Sequence, residues 1–156
     1  MMINTVTQDD FNALTEKASQ VKRKRAHFNL HETLNANVQR LLMAMEPDTY
    51  ICPHRHVESH KWEMFMLLSG KIDVLIFDDD GCLLSRIHMS PIATRVIQIP
   101  ANTWHTYVAQ QTETLALEIK EGPYIAQTDK EFAPWAPIEN TQEATAFLER
   151  LRALSP

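Results

Sequence analysis

The chain has 156 residues and a formal net charge of −5, and is most simply read as one domain with room for a sizeable core. An acidic balance argues against a general nucleic-acid binder, because neutralising phosphates takes a basic face. The two cysteines, Cys52 and Cys82, have no CxxC spacing, so neither a disulfide framework nor a structural zinc site is indicated.

Residues 1–7 lack the basic-then-apolar form of a signal peptide, and no apolar run is long enough to span a bilayer. The expectation is a soluble, cytoplasmic protein without a membrane partner. Thr7 reads as a helix N-cap with Asp10 three residues on, and Phe11, Leu14 and Ala18 recur at helical spacing to about residue 20. The basic run Lys22-Arg23-Lys24-Arg25 reads either as a solvated connector or as a phosphate or carboxylate clamp at the mouth of a site. His27 to His31 alternates polar and apolar as a half-exposed strand does, and both histidines read as surface or hydrogen-bonding groups. Residues 40–45 read as a strand leading into the turn-forming Glu46-Pro47-Asp48-Thr49.

The chemistry concentrates in the next stretch. A strand puts alternate side chains on one face, so His54 and His56 of Pro53-His54-Arg55-His56 can present two imidazoles to one point. Glu63 opens an apolar run ending at Gly70, read as a second, buried strand that brings a carboxylate to the same point. His105 arrives later, in Pro100-Ala101-Asn102-Thr103-Trp104-His105. Three imidazoles and one carboxylate suit a divalent first-row metal ion (Fe, Mn, Ni or Zn) and leave coordination positions open for a small-molecule substrate. His60, in the intervening loop, is an alternative ligand. Cys52 shares the parity of His54 and reads as a small buried hydrophobe near the pocket.

Beyond Gly70 the pattern is an all-β meander. Residues 71–77 and 82–89 form a hairpin across Asp78-Asp79-Asp80-Gly81, followed by strands at 92–99, 104–109 and 112–120. Such spacing suggests a sandwich or barrel. Tyr107 shares a face with His105, either as a pocket residue able to orient a substrate or act as a general acid, or as an ordinary lining aromatic. The proline- and aromatic-rich tail, residues 121–137, is expected to wrap the barrel with Phe132 and Trp135 pinned in surface grooves. Asn140 and Glu143 form a capping-box pattern, and Ala144, Phe147, Leu148 and Leu151 make one stripe of a final helix that docks on the barrel or on a partner subunit.

The stretches 48–70 and 94–109 resemble the two motifs of the cupin superfamily. In the first, His54, His56, Glu63 and Gly70 match, Asp48 replaces the leading glycine, and six residues separate His56 from Glu63 where three or four are usual. In the second, Pro100 and His105 match, while Thr94, Asn102 and Ala109 replace the other positions. A closer likeness is to the WbuC-type cupin-fold metalloproteins associated with some O-antigen clusters, carried by residues 25–31, 53–56, 62–65, 77–81, 100–105, 120–124 and 132–135. The resemblance implies a single all-β jelly-roll barrel over residues 1–156. An N-terminal helix and arm (1–31) would precede the barrel (36–120), and a wrapping tail and helix (121–156) would follow. It also implies a bound divalent metal and a homodimer. The expected function is a metal-dependent enzyme on a small polar metabolite, such as isomerisation or epimerisation of a sugar or sugar nucleotide in surface-polysaccharide synthesis. A metal-dependent dioxygenase and a non-catalytic metal-containing sensor are the alternatives.

Overall fold

Apolar side chains of opposite parity on the same strands give this chain three hydrophobic layers, one between two sheets and one outside each. The computed structural model describes residues 3–155. Ten strands follow helix α1 (Gln8–Gln20): β1 (Arg25–Asn29), β2 (Val38–Met45), β3 (His54–Arg55), β4 (Glu63–Ser69), β5 (Ile72–Phe77), β6 (Leu83–Met89), β7 (Val96–Ile99), β8 (Trp104–Ala109), β9 (Thr114–Glu121) and β10 (Glu131–Phe132); helix α2 (Gln142–Ala153) ends the fold. The strands form two five-stranded antiparallel sheets, ordered β1-β2-β9-β4-β7 and β10-β3-β8-β5-β6. The sheets face each other as a jelly-roll sandwich. They keep open edges at β1, β7, β10 and β6, so the expected barrel is not closed by a continuous ladder.

Phe65, Leu67, Val74, Tyr107 and Ala116 fill the space between the sheets. The opposite faces are capped by helices. Leu14 and Ala18 of α1 cover Leu42, Ala44 and Leu115 of the first sheet, and Ala144, Leu148 and Leu151 of α2 cover Leu75, Phe77 and Val108 of the second. Strand β8 is therefore buried on both faces. The final helix packs within its own chain. No helix among the described residues is long and apolar enough to cross a membrane.

Several expected boundaries shift for local reasons. Strand β7 starts at Val96, not Ile92, because a turn closed by Ala93 N–H to the Ser90 carbonyl (3.2 Å) leaves Ile92 98% exposed. The N-cap of α2 is Thr141, whose hydroxyl accepts from Ala144 N–H; Asn140 takes a left-handed φ of 66° and sits outside the helix. Residues 50–52 are irregular, and Cys52 packs with Tyr50 and Trp104 on the α2 side, away from the histidine cluster. Trp135 packs against Phe77 and Trp104 as expected of a pinned tail, but Phe132 stays 56% exposed.

Candidate metal centre

Backbone register brings the predicted ligands together. His54 on β3 and His105 on β8 are direct cross-strand partners, with ring centroids 4.5 Å apart. His56 follows β3 and is held by Asn102 N–H donating to its carbonyl at 2.8 Å. Glu63 comes from the opposite sheet, at the start of β4. One ligand atom from each of His54, His56, Glu63 and His105 lies within 4.8 Å of the others, and all four residues are 3% exposed or less. His60 is not among them: its ring is about half exposed and faces Glu58 at 3.3 Å.

Each imidazole has its Nδ1 committed to a backbone carbonyl. His54 Nδ1 donates to Cys52 (2.9 Å), His105 Nδ1 to Thr103 (2.8 Å), and His56 Nδ1 to Asp129. A carbonyl can only accept, so Nδ1 carries the hydrogen and Nε2 of a neutral ring offers a lone pair to the centre. Nε2 of His54 and of His105 are buried without a hydrogen-bond partner among the described residues. His56 Nε2 lies 3.1 Å from Glu63 Oε2. Two lone pairs at that distance require a positive charge, either a proton on His56 or a cation between them. Orphaned nitrogens around a buried carboxylate are the donor set of a divalent metal site.

The electrostatics agree. Burial, with the Lys130 and His105 charges, holds His54 well below the ordinary imidazole value. Burial alone would push the Glu63 carboxyl up, but positive charge on the side of the facing His105 and His56 rings outweighs that and holds it well below the usual carboxylate range. Both shifts favour the protonation states that bind metal. They also fix a sign for stability. The unfolded chain takes up a proton at His54 as pH falls through about 6.5, before the folded chain does, so the His54 contribution to stability is full above that value and is lost as pH falls below it. Metal-free protein should therefore show a falling urea midpoint between about pH 7 and pH 5; a flat midpoint over that window would contradict it.

Tyr107 lies two residues beyond His105 on the same face, stacked on Phe65 with centroids 4.3 Å apart, and its hydroxyl donates to Glu63 Oε1. Burial, then the Glu63 and Glu118 charges, push its phenol well above the usual value. Its proton is thus engaged in orienting the carboxylate. Tyr107→Phe keeps the packing and removes that bond, and should weaken metal affinity by about 10–100-fold, read by chelator competition.

A cavity of about 410 Å³ opens beside the cluster, reaching His54 and Tyr107 from the inner faces of β1, β2 and β9 and from the tail. Its wall holds residues that motif reading missed. Glu118 and Lys120 point inward on β9, where Glu118 is raised by burial and then by the Glu63 charge. Their signal was parity: Leu115, Leu117 and Ile119 share the opposite face, so Glu118 and Lys120 had to face the site. Lys120 reaches Asp129 at 2.9 Å and Glu118 at 3.5 Å, and Lys61 reaches Asp129 at 3.2 Å. Two of the four cations of the basic run are engaged by Glu139. Arg25 is buried and donates to the Tyr50 carbonyl (2.8 Å) and to Glu139, while Arg23 pairs with Glu139 at 3.0 Å. His31 is buried and bonded to Arg40 backbone, as expected of a hydrogen-bonding histidine. His27 borders the cavity on the exposed half of β1; desolvation by the surrounding walls, then Arg25, Lys130, Arg23 and Lys120, push its imidazole down to about 4.

No curated protein matches the chain. Among solved structures it is similar to KdgF from a Halomonas species, at 14% identity and TM-score 0.51 over 66% of this chain and 83% of that one. It is also similar to the capsular polysaccharide assembling protein CapF from Staphylococcus aureus, at 20% identity and TM-score 0.56, covering 72% of this chain but only 32% of CapF. A sugar phosphate isomerase of the cupin superfamily from Silicibacter pomeroyi matches at 19% identity and TM-score 0.50, over 63% of this chain and 59% of that one. At these identities the likeness is one of fold, and the fold is that of the cupins. The family described as "Domain of unknown function (DUF6016)" matches residues 6–89, over half of the chain, and the protein belongs to that family.

Proposed function

We propose that this protein is a cupin-fold metalloenzyme, of the WbuC type that its sequence resembles, acting on a small sugar-like metabolite. The carrying observation is the pair of buried, partnerless Nε2 atoms of His54 and His105 aimed at Glu63 beside a cavity of ligand size. His54, His56, Glu63 and His105 would hold one divalent ion. Such an ion, when bound, supplies Lewis-acid polarisation of a hydroxyl or carbonyl oxygen, or activation of a bound water or O₂. Tyr107 acts through Glu63 as a positioning residue, in place of the proton donor suggested by its strand parity alone. Glu118, a buried carboxyl with its pKa raised, faces the same cavity and can hold or release a proton there. The reaction is an isomerisation or epimerisation; two fold neighbours, a capsular polysaccharide assembling protein and a sugar phosphate isomerase, support a sugar-related role.

Metal analysis of protein purified without added metal is the first test. A stoichiometric divalent ion is the expected result, and protein that is fully folded, metal-free and unable to take up an ion would end this reading. Incubation of the loaded protein with a sugar and sugar-nucleotide panel then separates an enzyme, which forms product, from a sensor, which is only thermally stabilised.

A further inference from the structure

The chain as a whole is acidic, at −5, yet the cavity beside the cluster has a basic wall. Among its lining residues Arg23, Arg25, Lys120 and Lys130 carry four positive charges and Glu118 and Glu139 two negative ones, a surplus of two. Asp129, behind the wall, does not cancel that surplus, because the buried Lys61 faces it at 3.2 Å. The pairings also show which charge is left over. Glu139 is shared by Arg23 and Arg25, and Lys120 is held by Asp129 and Glu118, but Lys130 takes part in none of the ion pairs among the described residues. Its ammonium is nonetheless near enough to the cluster to act on both His54 and Glu63. Glu118, Glu63 and Asp129 attract it only from beyond ion-pairing distance, and a half-buried cation with no carboxylate in contact, at the wall of a cavity, is an arrangement that a bound anion completes.

We infer that this wall is an oxyanion subsite in which Lys130, backed by Arg23 at the rim, receives the carboxylate or phosphate of a monosaccharide-sized substrate. The inference deepens the metalloenzyme reading and rests on it for the placement of the reacting carbon. Size narrows the class. About 410 Å³ is near the lower end of the roughly 300–1,000 Å³ range of ligand pockets, which suits a sugar acid or sugar phosphate better than a nucleotide sugar. His27, neutral at physiological pH, adds a hydrogen-bonding group to the same wall without adding charge.

Calorimetric titration of the protein as purified with glucose 6-phosphate, glucuronate, glucose and inorganic phosphate tests this. At least one charged sugar should bind about 10-fold or more tighter than glucose, with phosphate competing and affinity falling as salt rises. Whichever of the two charged sugars binds tighter identifies the group as phosphate or carboxylate. Lys130→Gln should weaken that binding by about 10-fold or more and leave metal content unchanged. Equal binding of glucose and both charged sugars, or wild-type affinity in Lys130→Gln, overturns the subsite. Should Lys130→Gln misfold, Lys130→Arg must retain binding and the exposed Arg23→Gln must weaken it by about 3-fold or more; wild-type affinity in Arg23→Gln would then overturn it. Metal content measured on the same samples separates the two readings. Anion binding by protein unable to take up metal leaves the subsite and removes the metal centre, and metal without anion binding does the reverse.

Discussion

His105→Ala should lower the affinity for a divalent ion by about 100-fold or more, since even groups that only orient ligands are worth about 10–100-fold. The residue is fully buried, its Nδ1 is committed to Thr103, and its Nε2 has no hydrogen-bond partner among the described residues. Removing it deletes a donor without breaking any hydrogen bond that crosses the two sheets. The effect is best read as stabilisation by metal. At an ion concentration about 100 times the wild-type Kd, binding adds about 2.7 kcal/mol to stability, and a 100-fold loss of affinity leaves about 0.4 kcal/mol. His60→Ala is the matched control. Its ring is about half exposed against Glu58, so metal stabilisation should be unchanged. Full stabilisation in His105→Ala, or its loss in His60→Ala, would show that the ion sits elsewhere.

Gly70→Ala should be the most destabilising single-methyl change in the β4–β5 turn. Gly70 has φ +81°, a conformation costing roughly 1–2 kcal/mol for a residue with a Cβ. A Cβ there would also lie 2.2 Å from Thr114 Oγ1 and 2.7 Å from Thr114 Cα. Thr114 cannot swing aside: it is fully buried, and its hydroxyl donates to the Gln111 carbonyl at 2.7 Å. Overpacking of this kind adds about 1–3 kcal/mol, for a total of about 2–5 kcal/mol, measured as a shift in the urea midpoint at constant m. Thr114→Ala in the same background should fail to restore stability, because the clash with the Thr114 backbone survives removal of the hydroxyl. Recovery of the midpoint in that double variant would show that the clash is with the side chain alone.

The parts legible in the sequence were those with short-range signatures. His54-Arg55-His56 lies within one strand and its exit, and Glu63 and His105 stand at strand starts that alternation and Pro100 mark. The capping pair Thr7 and Asp10 likewise set the start of α1, where both reciprocal bonds form. Residues whose role depends on what covers their strand were harder to read. Trp104 to Ala109 is buried on both faces, so its polarity pattern could not show which side meets α2. Arg25 looked like surface charge until Glu139, 114 residues away, supplied its partner. Lys130 and Phe132 reach the cavity only because β10 pairs with β3, a pairing between distant segments without a composition signal.

That pairing makes the tail conditional on the centre. The Asp129 carbonyl receives the His56 Nδ1 hydrogen, and the Asp129 carboxylate lies between Lys61 and Lys120. Loading an ion onto His56 must therefore tighten the anchorage of residues 123–133, and loosening that limb must by reciprocity weaken the ion's hold. Slower amide exchange across those residues on metal addition would register the linkage, and unchanged exchange would refute it. The limb that carries Lys130 would then be held more firmly in metal-loaded protein, and anion affinity should rise with metal occupancy.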